Sequence, residues 1–374
     1  MRFEVLACDR STGARRGRLH TAHGAVDTPA FMPVGSRAAV RGLRPEEVAA
    51  SGAQMILANT YHLYLRPGAQ VVRELGGLHR FMHWEGPVLT DSGGYQVYSL
   101  AALRRVEDDA VIFRSHLDGD LHRFTPEQSL ATQADLGSDI AMVLDECPAL
   151  PAGRETLERA VARTSRWAAR AREAWRGPGA LFGIVQGGTD PALRERSARD
   201  LVALGFDGYA IGGVSVGEDR AEGRRVTALT AGLLPGDRPR YLMGVGTPAE
   251  IIDAVCAGVD LFDCVLPTRN ARNGMLFTRS GRMNIQREEY RRDPRPPEEG
   301  CDCPTCRHYS RGYLRHLYQA GEMLSGILNT LHNLHFYQCL MRELRAAIET
   351  GRLEDLRRER AAAQAAPAPA EGAP

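Results

Sequence analysis

The stretch from Leu261 to Arg269, LFDCVLPTR, decides how the fold is read. Leu261, Phe262, Val265 and Leu266 are apolar, as in a strand covered on both faces. Asp263 lies inside that run, and a carboxylate at the end of a buried strand must be paired or used. An arginine-bearing loop, TRNAR (268–272), follows at once. Working outward, seven more runs share the pattern: AFMPVG (30–35), QMILANT (54–60), PVLTDSG (87–93), IAMVLDE (140–146), LFGIVQG (181–187), GYAIGGV (208–214) and RYLMGVG (240–246).

Helical grammar separates several of these runs. RPEEVAASG (44–52) has proline and acids at its start and glycine at its end. TPEQSLATQADLG (125–137) opens with a threonine cap, then proline, then glutamate. TDPALRERSARDLVALG (189–205) and TPAEIIDAVCAG (247–258) repeat that order, and 154–176 reads as a long Arg/Ala/Glu helix. Alternating strands and helices imply a parallel sheet. Eight units in about 240 residues fit a (β/α)8 TIM barrel better than a doubly wound open sheet. Asp91, Asp145, Gln186, Gly213 and Asp263 each fall at the C-terminal end of an expected strand. In a barrel those ends share one face, where active sites sit.

The composition is that of an ordinary globular protein, 43% apolar and 25% charged. A net charge of +1 advertises no strong field for nucleic acid. All 47 basic residues are arginine, which genomic base composition explains. No run reaches the roughly 18 apolar residues of a membrane span. No secretory signal is visible, so the sequence reads as cytoplasmic, without a membrane partner. Cysteines in such a chain are not expected to form a disulfide framework. Cys301, Cys303 and Cys306 crowd into C-x-C-x₂-C, a spacing that can wrap one Zn²⁺. His308, His316, His332, His335 and Cys339 are candidates for the fourth ligand. A closed set of four ligands makes the ion structural, with no open position for substrate. Beyond residue 275 the pattern changes to a charged, proline-containing excursion, then helix-like sequence over about 307–350. The expected organisation is a catalytic barrel over 1–275, a zinc-binding subdomain with C-terminal helices over 276–350, and a disordered tail over 351–374.

Taken in order, TDSGGYQVYSL, HLDG with FTPE, VLDECP, GIVQGG, YAIGGVSVGE, YLMGVGTP, DLFDCVLPTR, RNG, CDCPTCRHYSRGYLRHL and LHN resemble the tRNA-guanine transglycosylase (queuine tRNA-ribosyltransferase) family, bacterial type. The resemblance runs from about residue 3 to residue 350. It implies a (β/α)8 barrel with a zinc subdomain, a homodimer, and exchange of the wobble guanine of GUN-anticodon tRNAs (Asp, Asn, His, Tyr) for 7-aminomethyl-7-deazaguanine. Matched position by position, it implies Asp263 as nucleophile and Asp91 as general acid and base. Ser92, Gly93, Gly94, Tyr95, Asp145, Gln186, Gly213 and Met243 are implied to hold the base. Gly244, Val245, Gly246, Thr247, Pro248, Ala249 and Glu250, with Thr268, Arg269, Asn270, Ala271 and Arg272, match loops that meet RNA. One Zn²⁺ per subunit is implied on Cys301, Cys303, Cys306 and His332, the histidine of LHN. Val216, where queuine-using members tend to have glycine, and Cys147 fit the bacterial form. Ser215 departs from the commoner alanine, and TRNARNG departs slightly from the usual pattern.

The residue types suit that chemistry. A carboxylate can attack an anomeric carbon and hold the sugar as an ester, as in retaining glycosidases. A second carboxylate can pass protons to and from the exchanging bases. Two other classes compete: a non-catalytic tRNA-binding partner subunit and a zinc-dependent barrel hydrolase. The first is expected to lack Asp91 or Asp263, and the second needs histidine ligands at strand ends, where none occurs.

Overall fold

The computed structural model describes residues 1–100 and 104–365. All eight apolar runs form parallel strands of one sheet. They are Ala30–Met32 with Val34–Gly35, then Ile56–Ala58, Val88–Thr90, Ile140–Met142, Ala180–Val185, Gly208–Ile211, Arg240–Leu242 and Leu261–Asp263. Pro33 divides the first run. Its front half pairs with Leu261–Asp263 and its rear half with Ile56–Ala58, so a single segment joins the two edges of the sheet and closes the barrel. A proline has no N–H to give a ladder, so the split falls where pairing switches neighbours.

The strands are shorter than the apolar runs. Most keep three or four residues, and the polar positions lie at or just past their ends. Asn59, Asp91, Gln186 and Met243 are each the first residue past a strand, and Asp263 is the last residue within one. The helices follow the grammar read above. The Thr125 hydroxyl accepts from the Gln128 N–H, and the Asp190 carboxylate from the Leu193 N–H, both at 3.1 Å. Thr247 and Glu250 form a reciprocal capping box.

Three antiparallel elements went unread in the sequence. Arg2–Cys8, Arg15–Thr21 and Gly24–Thr28 form one sheet; Arg104–Val106, Val111–Arg114 and Leu121–Phe124 a second; Met275–Thr278 and Gly281–Asn284 a hairpin. Past the hairpin, helices Pro304–His308 and Arg311–Gln319 lead into a long helix, Met323–Thr350. Its Phe336, Tyr337, Leu340, Met341 and Leu344 belong to the same apolar core as the barrel strands. The expectation of disorder from residue 351 needs correction. Gly351 ends the long helix at φ 68°, and the chain turns into a further helix, Leu353–Ala365. Leu353 is fully buried in the core, and Arg357 bonds Asp253 at 2.9 Å, so this segment has apolar and ionic anchors that its alanine-rich end concealed. Residues 366–374 of the expected tail lie outside the described residues. No described helix is long and apolar enough to cross a membrane.

The N-terminal sheet is joined to the barrel by a buried ion pair. Arg15 donates from Nε to Asp260 Oδ1 at 2.9 Å and from Nη2 to Oδ2 at 2.5 Å, immediately before the strand that carries Asp263. Removing one partner strands the other as an unpaired buried charge. Arg15→Met should therefore lower stability by about 3–5 kcal/mol, read as an earlier urea midpoint at unchanged slope. A midpoint that does not move would show that the pair has no such role.

Candidate active site and metal centre

A cavity of about 500 Å³ opens at the C-terminal ends of the barrel strands, within the range of small-ligand sites. Asp91, Ser92, Tyr95, Asp145, Gln186, Gly213, Met243 and Asp263 all line it. Gly93 and Gly94 do not. At Gly93, φ is 81°, and a Cβ at Gly94 would meet the Asp145 carbonyl at 3.0 Å. Gly94 thus lets the Asp91 turn pack against Asp145, and Gly93 lets it pack against Tyr61, whose N would lie 3.3 Å from a Cβ there.

The three carboxylates are bound differently. Asp263 accepts from the Tyr241 hydroxyl at 2.5 Å and the Gly244 N–H at 2.8 Å, both on Oδ1. Among the described residues nothing donates to its Oδ2. Asp91 is saturated. Its Oδ1 accepts from the Thr60 and Gly93 N–H groups at 2.8 and 3.2 Å, and its Oδ2 from Asn59 and Gln96 at 2.5 and 2.9 Å. Asp145 accepts from Gln186 Nε2 at 2.7 Å and the Ser92 hydroxyl at 3.3 Å. Burial raises all three carboxyls, because desolvation penalises the charged form. Asp91 and Asp145 are pushed up to about 6 against the pull of their donors, and the nearby Asp263 adds repulsion at Asp91. Asp263 is raised by burial and pulled back by Tyr241 and Gly244. Burial and the adjacent anion keep the Tyr241 hydroxyl protonated, so it remains a donor. Asn59, Gln96 and Tyr241 were missed in the sequence. Asn59 carried a signal, since it ends the run QMILANT as the aspartates end theirs.

The two loops expected to meet RNA flank Asp263. Gly244, Val245, Gly246, Thr247, Glu250 and Arg269 line the cavity, with Arg269 exposed. Ala249 is also exposed. Pro248, Thr268 and Ala271 are buried, Asn270 and Arg272 half-buried, and Arg272 bonds the Thr268 carbonyl at 2.8 Å. Val216 and Cys147 also line the cavity. Ser215 holds φ at 61°, a left-handed conformation steadied by its N–H on Glu218 at 2.5 Å.

The Cys₃His group converges as the spacing suggested. Cys301, Cys303 and Cys306 Sγ lie 4.0, 3.6 and 3.3 Å from His332 Nδ1. Metal–sulfur and metal–nitrogen bonds of about 2.3 and 2.0–2.1 Å give a tetrahedral S···N edge of roughly 3.6 Å, so the set fits one ion. His332 Nε2–H donates to the Phe277 carbonyl at 2.8 Å, which leaves Nδ1 as the ligating nitrogen. The other candidate ligands are not in this group. A second cluster, His23, His79 and Asp139, has its imidazoles stacked at 3.5 Å. Stacked rings cannot both aim in-plane lone pairs at one ion, so this cluster is a hydrogen-bonded clasp around Asp139. Among the described residues no histidine lines the main cavity, so the ligand set a barrel metallohydrolase needs is not found there.

A closed barrel whose strand ends turn three buried carboxylates and an amide toward one cavity is the architecture of an enzyme. A family profile described as Queuine tRNA-ribosyltransferase matches residues 8–366. The Queuine tRNA-ribosyltransferase of Moorella thermoacetica is 58% identical over 355 residues, covering 95% of each chain. Those of Nitrosomonas eutropha and Listeria welshimeri are 55% and 53% identical over 95% and 96% of this chain and 98% and 95% of their own. The chain belongs to the queuine tRNA-ribosyltransferase family and is a transferase. Metal analysis of the purified protein should return about one ion per chain, since four ligand atoms enclose one tetrahedral position. Folded, active protein without metal would contradict the assignment.

Proposed function

We propose that the enzyme exchanges the wobble guanine of GUN-anticodon tRNAs (Asp, Asn, His, Tyr) for 7-aminomethyl-7-deazaguanine by double displacement. The observation that carries this reading is the asymmetry at Asp263, where two donors occupy Oδ1 and Oδ2 stays free in the cavity. A nucleophile needs an unoccupied lone pair, which Asp263 Oδ2 has; both oxygens of Asp91 are engaged by four donors, one of which gives way when the carboxyl takes up a proton. Asp263 Oδ2 attacks the ribose anomeric carbon, the N-glycosidic bond breaks, and its electron pair leaves with guanine. Asp91, raised to about 6, delivers a proton to the departing base and accepts one from the incoming base. The incoming nitrogen then displaces Asp263, and two inversions restore the starting configuration.

Base recognition falls to Asp145, Gln186 and Gly213. Asp145 accepts from the ring N–H and amino group of the flipped-out guanine, while the Gln186 amide and the Gly213 N–H donate to its carbonyl oxygen. Tyr95, 58% exposed over the cavity, offers a stacking face. Arg269, at the cavity rim, and Arg272 suit phosphate contacts that bring the ribose to Asp263. In this reading 1–275 is the catalytic barrel and 276–350 the metal-bearing lobe, and the Cys₃His ion is one structural Zn²⁺ per subunit. A cytoplasmic homodimer completes it, with Tyr313, Met323 and Leu324 exposing apolar surface on the C-terminal helices.

Incubation with labelled guanine and unmodified GUN tRNA should put label into the tRNA, and Asp263→Asn should abolish it. An Asp263→Asn enzyme that exchanges normally would overturn the reading. Asp145 must be ionised to accept two N–H groups, and burial moves its titration up to about 6. Lowering pH through 6 therefore protonates it, and kcat/KM should fall by roughly tenfold per unit below that point. A profile flat down to pH 5 would contradict this. Val216 narrows the cavity. Val216→Gly should admit queuine, whereas queuine insertion by the unmodified enzyme at the rate of the aminomethyl base would show that Val216 does not select.

A further inference from the structure

Arg194 is a fully buried cation on the helix Pro191–Leu204, directly behind the cavity. Its partners are main-chain carbonyls. Nε donates to Gly188 at 2.8 Å, Nη1 to Val185 at 3.1 Å and Gly212 at 2.7 Å, and Nη2 to Gly213 at 3.1 Å. Among the described residues no carboxylate forms an ion pair with it. Burial lowers its affinity for the proton to about 10, with Cys147 and Glu218 the acidic groups that offset this. An unpaired buried cation is among the costlier features a core can hold.

The target of the shortest of these bonds supplies a reason. The Gly212 carbonyl belongs to the peptide unit whose other end is the Gly213 N–H. That N–H is directed at the Cys147 thiol, and Gly213 and Cys147 both line the cavity. A charged donor on the carbonyl end of an amide polarises the N–H end, and linked hydrogen bonds strengthen one another. The orientation of the unit is also held. Gly212 donates its own N–H to the Val185 carbonyl at 3.0 Å, and Gly213 sits at φ 64°. A Cβ at Gly213 would lie 2.5 Å from Gln186 Oε1. Arg194 thus grips both turns that carry the amide donors of the cavity, 185–188 and 212–213.

We infer that Arg194 is a positioning residue for base recognition: its guanidinium fixes and polarises the Gly212–Gly213 peptide so that the Gly213 N–H is a strong donor to the six-position carbonyl oxygen of a guanine-type base. The inference rests on the base-exchange reading given above.

The test compares two bases that differ at that one atom. Guanine and 6-thioguanine share the ring N–H and amino group, but sulfur is the weaker acceptor. Dissociation constants of both are measured for the intact enzyme, Arg194→Met and Arg194→Lys, with thermal unfolding as a check on folding. The intact enzyme should prefer guanine. In Arg194→Met guanine should bind about tenfold more weakly, 6-thioguanine should change far less, and the preference should collapse. Arg194→Lys keeps the charge, cannot make all four bonds, and should fall between. Equal weakening of both bases, or an unchanged preference, would overturn the inference and leave the base-exchange reading standing. So would unfolding of both variants, which would assign Arg194 to the core alone. An intact enzyme that binds neither base and exchanges no labelled guanine would remove the base-exchange reading, and this inference with it.

Discussion

Moving a carboxylate out of water penalises its charge, and this barrel places three of them in one cavity. Asp91, Asp145 and Asp263 are all buried, and each is raised above the usual carboxylate range. Arginine is plentiful in the chain, yet none is salt-bridged to these three among the described residues. They are held by neutral donors instead: amides, hydroxyls and main-chain N–H groups. Such donors support an anion without cancelling its charge, so its proton affinity stays above that of a solvated carboxyl. That condition requires donors fixed to a fraction of an ångström, which short strands in a closed barrel provide.

The lobe that carries the Cys₃His group extends the same rigidity to the loops. His332 and Asn333 are adjacent on the long helix Met323–Thr350. His332 closes the Cys₃His group, while Asn333 bonds the carbonyls of Pro267 and Met275 at 2.9 and 3.1 Å and accepts from the Phe277 N–H at 2.9 Å. One turn to either side, Asn329 bonds Ala271 and Tyr337 bonds Gly246. The helix that carries the metal ligand therefore braces the loops after both Leu242 and Asp263. An ion held by the Cys₃His group would act on the cavity through these braces.

Much of this arrangement was legible because it has a local signature. Apolar runs gave all eight barrel strands, and the polar residues that close several of them gave the placement of Asp91, Gln186 and Asp263. Cysteine spacing gave three metal ligands, and only the family resemblance singled out His332. The antiparallel N-terminal sheet was not legible, because its middle strand RRGRLHT alternates arginine with glycine, leucine and threonine and has no continuous apolar face. The helix 353–365 was hidden by an alanine- and arginine-rich composition that only its contacts rescue. Arg194 reads as one of several surface arginines in ALRERSARD, and nothing local distinguishes it. Its burial follows from how that helix lies against the strand ends, a tertiary fact without a sequence pattern.

The account turns on which carboxylate forms the covalent bond to ribose. Turnover quenched by denaturation, followed by proteolysis and mass spectrometry of the protein–tRNA adduct, reads that bond directly. The free Oδ2 of Asp263 and the saturated Asp91 predict a ribosyl ester on the peptide containing Asp263, present in Asp91→Asn and missing from Asp263→Asn. An adduct that persists in Asp263→Asn and maps to Asp91 would contradict it.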